Sequence, residues 1–370
     1  MSRTVGLVVN PVAGMGGSVG LHGTDGAERL AEARRRGATP VVFGRVARLL
    51  ARLDLRDAAL LVGSGPLGQD EARAAGLATE VVGPGVPGET TAHDTRRVAQ
   101  ALCERGCDVV LFAGGDGTAR DVVAAVGSEQ TVLGVPSGVK MRSGVFAASP
   151  EAAADIVTEL LTSGSARLVK ADVVDVGDDG VSPILHGVAT VLAGTRGHLV
   201  GPKASSTAGG GAALDALASA LAKELRGGVL YLVGPGTTAG AVLSELGLEA
   251  SALGVDAVFN RHLVGRDLSE LQVWRLLEAH PDSELILGVI GGQGFLLGRG
   301  NQQLSARVLH RVGASRITVV AAERKLLDLD PAELRLDLDG DVEGLFGNFC
   351  RVRVGPRRYL ALPVVRPNRN

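Results

Sequence analysis

Aromatic residues make up only 3 % of the 370-residue chain, and there are three cysteines and three methionines. An odd number of thiols, Cys103, Cys107 and Cys350, argues against a disulfide framework. They read as reduced thiols, and no second ligand pair completes a structural zinc site. Charge of one sign is lacking too. Lys plus Arg number 38 against 40 Asp plus Glu, a net charge of −2, which leaves no electrostatic case for nucleic acid or an anionic membrane as partner. No apolar run approaches the roughly 20 residues of a membrane span. The N-terminal run from Val5 to Val9 meets Asn10-Pro11 at once, too short for a signal peptide's core. A cytoplasmic protein is expected.

What the chain has instead is glycine, 53 residues of it, which suits a loop-rich α/β protein with many close backbone approaches. The length allows two domains with sizeable cores. Everything is arranged around residues 108–126, DVVLFAGGDGTARDVVAAV. Val109 to Phe112 form a short continuous apolar run, the pattern of a strand buried on both faces. Gly114-Gly115 ends it. The pattern predicts a helix beginning after Thr118, with the threonine hydroxyl capping its first turn and Asp121 completing a capping-box spacing. Asp116 then stands at the carboxyl end of a strand, where open α/β sheets place ligands. Free N–H groups of the turn and helix start favour a phosphate there.

The rest of the first half alternates strands and helices. Val5–Val9 is a strand, followed by a glycine-rich loop from Val12 to Gly17. A second loop, 20–26, carries His22, Thr24 and Asp25 and reads equally as substrate loop or plain turn. A helix over 27–36, strands at Pro40–Phe43 and Ala58–Val62 with a helix at 45–53 between them, and a short strand at 80–82 come next. Gly63 to Gly68 is a further glycine loop of low specificity. Thr91 caps a helix over 92–105, with Asp94 at the third position. After the central helix, Thr131–Val135 is again a strand, and Ser137-Gly138-Val139-Lys140-Met141-Arg142-Ser143 follows it. Two cations and two hydroxyls on that rim could neutralise transferring phosphate oxygens. This is the pitch of a doubly wound parallel sheet.

Near residue 167 the texture changes to longer β-like segments, 167–176 and 184–193, about a hairpin turn at 177–180. The expected boundary lies here, giving domains 1–166 and 167–370. His186 reads as a packed strand histidine, and 194–211 as a long lid-like loop. Leu214, Leu217, Leu221 and Leu225 mark the buried face of a helix. Val229–Val233 is a strand, and Gly234-Pro235-Gly236-Thr237-Thr238-Ala239-Gly240 is a second strand–loop–helix turn with phosphate-friendly donors. Further strands at 253–259, 284–290, 316–321, 334–338 and 349–354 make the second domain mixed, with β-rich segments plus an α/β portion.

Two motifs carry a family resemblance: Asn-Pro-x-Ala-Gly-x-Gly from Asn10 to Gly16, and Gly-Gly-Asp-Gly-Thr at 114–118. Together they resemble the NAD kinase and diacylglycerol kinase superfamily, where the second motif holds the nucleotide and supplies the catalytic Asp. With the Ser-Gly-Val-Lys-Met loop, Gly-Pro-Gly-Thr-Thr, and the Gly-Gly-Gln-Gly-Phe through Gly-Asn-Gln-Gln run, the order is similar to one branch. That branch holds the predicted ATP- or polyphosphate-dependent NAD kinases grouped with the AcoX protein of acetoin-catabolism clusters. The Asn-Glu pair that ordinary NAD kinases use on the dinucleotide has no counterpart in 184–193, so the donor side is matched by more residues than the acceptor side.

The resemblance implies transfer of a phosphoryl group from ATP, or polyphosphate, to the ribose 2′-hydroxyl of NAD. It makes Asp116 the catalytic residue and gives Asn10, Gly14, Gly114, Gly115, Gly117 and Thr118 to the nucleotide. Ser137, Lys140, Gly236, Thr237 and Thr238 fall to the substrate. Mg²⁺ or another divalent cation would be held mainly by phosphates and waters, with no protein metal ligand assigned. A homo-oligomer is expected. The alternatives are an ATP-dependent kinase of another small hydroxyl metabolite and a non-catalytic dinucleotide-binding regulator.

Overall fold

The structure, a computed structural model, describes residues 3–366 except 22, 25, 84, 86–88, 140, 164–166, 177–182, 195–210, 252–253, 291–292, 339, 341 and 343. Two compact units divide the chain. The first comprises 1–15, 23–31 and 39–202, and the second 16–22, 32–38 and 203–370.

Continuous apolar runs form the strands of the first unit. β1 (Thr4–Val9) leads through α1 (Ala27–Arg35) and α2 (Val42–Arg52) to β2 (Ala59–Gly63), α3 (Gln69–Ala74) and β3 (Glu80–Val82). α4 (Ala92–Glu104), β4 (Val109–Gly114), α5 (Asp116–Val126), β5 (Thr131–Pro136), α6 (Pro150–Ser163), β6 (Arg167–Val176) and β7 (Pro183–Ala193) follow. The sheet order is β3-β2-β1-β4-β5-β7-β6, with every neighbouring pair parallel except β6 against β7. β4 is buried along its whole length, as its unbroken apolar run requires when helices cover both faces. Chain order reverses between β1 and β4. That is the topological switch point, where the carboxyl ends of two strands splay their following loops apart and leave a crevice.

Two expectations are corrected here. Pro40–Phe43 is not a strand; α2 begins at Val42, because Val42, Val46, Leu49 and Leu50 recur at helical spacing and all four are buried. The β-like segments after 167 do not open a new sheet. β7 pairs with β5 in parallel, so the hairpin β6–β7 completes the first sheet and the first unit runs on to Pro202. His186 in β7 is exposed, not packed, and the 177–180 turn and most of the 194–211 loop lie outside the described residues.

The second unit contains α7 (Gly211–Glu224), β8 (Leu230–Val233), α8 (Thr237–Ser244), β9 (Val255–Phe259), β10 (His262–Leu268), α9 (Glu270–Ala279) and β11 (Ser283–Gly288). β12 (Phe295–Leu297), α10 (Ala306–Val312), β13 (Ile317–Val320), α11 (Glu323–Leu327), β14 (Leu334–Leu336), β15 (Phe349–Arg353) and β16 (Tyr359–Val365) complete it. Its nine strands run β10-β9-β8-β11-β13-β15-β16-β14-β12, parallel through β8, β11, β13 and β15 and antiparallel at β9, β10 and β16. Period-two alternation divides β8 between two cores. Leu230 and Leu232 join the α9 and α10 side with Val273, Leu277 and Val308. Tyr231 and Val233 join the α7 and α8 side with Leu217, Leu221 and Val242. Both sheets therefore lie between helical layers, and the molecule is α/β throughout, with a mixed second sheet.

Candidate active site

The loops that follow β1, β4 and β5 meet on the carboxyl edge of the first sheet. Asn10, directly after β1, donates its side-chain amide to the Thr118 hydroxyl at 2.9 Å, and its backbone N–H bonds Ala113 O at 3.0 Å. Its side-chain oxygen takes the Val12 N–H at 3.3 Å and shapes the turn. The two motifs at 10–16 and 114–118 are thus joined side by side. Gly14 has φ of +76°, and a Cβ there would stand 2.1 Å from Ser137 O, so the residue must be glycine for the β1 and β5 loops to touch. Ser137 N in turn donates to Gly114 O at 2.9 Å, and its hydroxyl, buried, turns back to Val135 O at 3.3 Å. Gly115 and Gly138 lie backbone to backbone: a Cβ on Gly138 would reach Gly115 Cα at 2.7 Å.

The helix after β4 starts three residues earlier than expected. α5 begins at Asp116 with Gly115 as its cap, and Ala119 N closes the first turn on Gly115 O at 2.9 Å. Thr118 therefore does not cap the helix, being already inside it and held by Asn10. Asp121 completes no capping box; it pairs with Arg96 at 2.9 Å. The N–H groups of Asp116, Gly117 and Thr118 occupy the first turn, where a helix lacks internal acceptors, and are the donors available to an anion.

Asp116 itself is 8 % exposed. Its two oxygens accept the backbone N–H groups of Arg142 at 2.7 Å and Ser143 at 3.0 Å. Ser143 is clasped to β6 in both directions: its hydroxyl donates to Val174 O at 2.9 Å and receives Val174 N at 3.0 Å. Burial pushes the Asp116 carboxyl up to about 6, and the charge of Asp175 adds to that, against the Ser143 and Arg142 donors that favour the carboxylate. An acid of that strength is mostly ionised at neutral pH while staying a better base than an exposed aspartate. The described part of the Ser137–Ser143 loop thus gives Asp116 the backbone N–H groups of Arg142 and Ser143. Lys140 lies outside the described residues.

In the second unit, β8 ends in Gly234-Pro235-Gly236, and α8 starts at Thr237 with Gly236 as its cap at φ +111°. A Cβ on Gly236 would meet nothing within 4 Å, so space is open in front of this helix start. Thr238 is 3 % exposed, and its hydroxyl accepts Lys325 Nζ at 3.4 Å. Lys325 stands on α11, after β13, and no carboxylate among the described residues pairs with it. Burial alone lowers its ammonium below the ordinary lysine range. Lys325, Asp175 and the Arg142–Ser143 backbone stand beside the candidate residues and were not singled out in the sequence. Nothing local in the sequence marks Lys325 or Asp175 as a neighbour of these residues.

Two family models match the chain: the ATP-NAD kinase N-terminal domain over residues 5–165 and the ATP-NAD kinase C-terminal domain over 226–364. The chain belongs to the NAD kinase superfamily. The matched domains make it a nucleotide-binding kinase, and the match spans both the Asp116 site and the Gly236–Thr238 turn. Neither curated proteins nor solved structures gave a match. No described helix is long and apolar enough to cross a membrane.

Proposed function

We propose that the protein transfers the terminal phosphoryl group of ATP to the ribose 2′-hydroxyl of NAD. The observation that carries the reading is Asp116, a buried carboxylate oriented by two backbone N–H groups at the switch point of the first sheet. Phosphoryl transfer asks little covalent help of a protein; it needs positioning, charge stabilisation and a group to take the hydroxyl proton. Asp116 accepts that proton. The amides of Arg142 and Ser143 hold the carboxylate in one orientation and leave further lone pairs for the substrate. The α5 start, pinned through Thr118 to Asn10, offers the phosphates its N–H groups, and Gly117 there is half-exposed.

We assign Gly236, Thr237 and Thr238 to the acceptor, where helix-start donors and hydroxyls suit a phosphate or ribose. Lys325, which pairs with no carboxylate among the described residues, supplies the charge. Among the described residues no three His, Cys, Asp or Glu side chains stand together as a cation cage. A divalent ion arriving on the donor phosphates and keeping waters would neutralise charge as the phosphoryl group moves. The test is turnover of purified protein on NAD, NADH and small polyols with ATP or polyphosphate. ATP-dependent formation of NADP is expected. Phosphorylation of a polyol with NAD untouched would overturn the acceptor and keep the kinase.

A further inference from the structure

Behind Asp116 lies a charged network that the proton-transfer step does not itself use. Arg120 sits four residues after Asp116 on α5, hence on the same side of the helix. Its guanidinium donates to Asp175 at 2.6 Å, and Asp175, 6 % exposed, belongs to β6. The residue before it, Val174, holds Ser143, whose N–H holds Asp116. The Asp175 carboxylate is therefore fixed in place by the same clasp that orients Asp116. Resting on the reading of Asp116 as proton acceptor, we propose that Arg120 and Asp175 are a positioning pair that sets its proton affinity. Asp175 strengthens that affinity and Arg120 limits the effect.

Several charged groups of the elements around α5 are engaged elsewhere or exposed, and Arg120 itself also lies 3.9 Å from Asp121. The elements packed on α5 are α4, β4, β6 and β7. Arg96 of α4 is engaged with Asp121 at 2.9 Å. β4 carries no charged residue, and the one titratable group on β7, His186, is exposed. On β6, Lys170 bonds Glu129 at 3.0 Å, and Asp172 is exposed. Arg142 of the adjoining turn donates its backbone N–H to Asp116 at 2.7 Å. Among the described carboxylates, Asp175 is one whose negative charge raises the Asp116 carboxyl, after burial. Two like charges close together in a buried site cannot both ionise freely, so the second holds its proton more tightly. The Arg120 guanidinium offsets this, because its positive charge lies 2.6 Å from the Asp175 carboxylate and neutralises much of it.

The two members act with opposite signs, which a merely structural role would not do. Full-length protein labelled with carboxyl-¹³C aspartate gives a resonance for Asp116, assigned by its loss in Asp116→Asn. Its midpoint in the wild type is expected near 6. Asp175→Asn should lower that midpoint by roughly half a unit or more, and Arg120→Gln should raise it by a similar amount. The acid limb of the pH–rate profile should move with each. Midpoints that stay within about 0.2 units in both variants, or move the same way, overturn the pair. If Asp175→Asn does not fold by circular dichroism, Arg120→Gln decides alone: a raised midpoint supports the proposal and an unmoved one ends it. Full turnover in Asp116→Asn would instead sink the proton-acceptor reading, whatever the midpoints do.

Discussion

At the scale of single residues, the site depends on groups whose ordinary chemistry has been altered by burial. Asp116 is pushed up to about 6 chiefly by loss of water. The carboxylate is the working form, so the rate should rise with pH through about 6 and fall close to tenfold per unit below it. Asp116→Asn removes the base, and turnover should drop about 10²- to 10⁴-fold with nucleotide affinity largely kept. Near-normal turnover in the pure variant would take Asp116 out of the mechanism. Lys325 is the opposite case, a cation whose proton is held less firmly in the folded chain. A lysine with a lowered value costs the fold stability below that value and returns it as pH rises through it. Lys325→Met keeps the stem and removes the charge, so it should not lower the melting temperature at neutral pH. It should weaken the phosphate-bearing ligand on the Gly236–Thr238 turn by roughly 1.5–3 kcal/mol, the scale of a hydrogen bond to a charged group. Unchanged affinity for both NAD and ATP by calorimetry would make Lys325 a packing residue.

At the scale of elements, the strand-end turns are set by how closely backbones approach. A Cβ on Gly114 would stand 2.3 Å from the Thr118 hydroxyl, the oxygen that Asn10 grips. Gly114→Ala should therefore cost about 1–3 kcal/mol of stability and loosen the nucleotide. Gly44, inside α2, is the contrast, since a methyl there meets nothing within 4 Å. Gly44→Ala should stabilise by roughly 0.5–1 kcal/mol, as expected for alanine over glycine in a helix. Chemical denaturation of the two variants separates the cases, and equal effects would refute the close-approach argument. The same elements mark what was legible in the sequence. β1, β4 and β5 were plain because a strand buried on both faces must be apolar at every position. The Thr91 cap was plain because its reciprocal bond is local, Thr91 N to Asp94 at 2.9 Å. The α5 start was misplaced because Thr118 has the right chemistry for a cap, and only the Asn10 contact, 108 residues away in sequence, spends that hydroxyl elsewhere. Val-Val-Phe after Pro40 looked like a strand because three residues cannot distinguish a period of two from one of 3.6. Lys325 and Thr238 lie 87 residues apart, and no local pattern joins them.

At the scale of the whole molecule, the two units are not consecutive pieces of chain. Residues 16–22 and 32–38 leave the first unit and count with the second, although the motif they extend begins at Asn10. The contacts are specific. Ser18 O accepts the N–H of Glu270 at 2.8 Å, the first residue of α9. Arg36 donates to Val19 O at 3.3 Å, and a Cβ on Gly17 would lie 3.1 Å from the Gln302 side chain. Cutting the chain at the 202/203 division, where the units otherwise part, therefore removes a piece of the second unit and orphans a donor at the start of a helix. Fragment 203–370 should be less stable to urea than the same fragment carrying residues 16–38 on a flexible linker, by about 1–3 kcal/mol, the cost of a lost acceptor plus its packing. Gly17→Val in the linked version, which crowds the Gln302 side chain, should return it toward the bare fragment if the gain comes from these contacts and not from added length. Equal urea midpoints for the two fragments would mean that the glycine-rich segment only lies against the second unit and contributes nothing to holding it together.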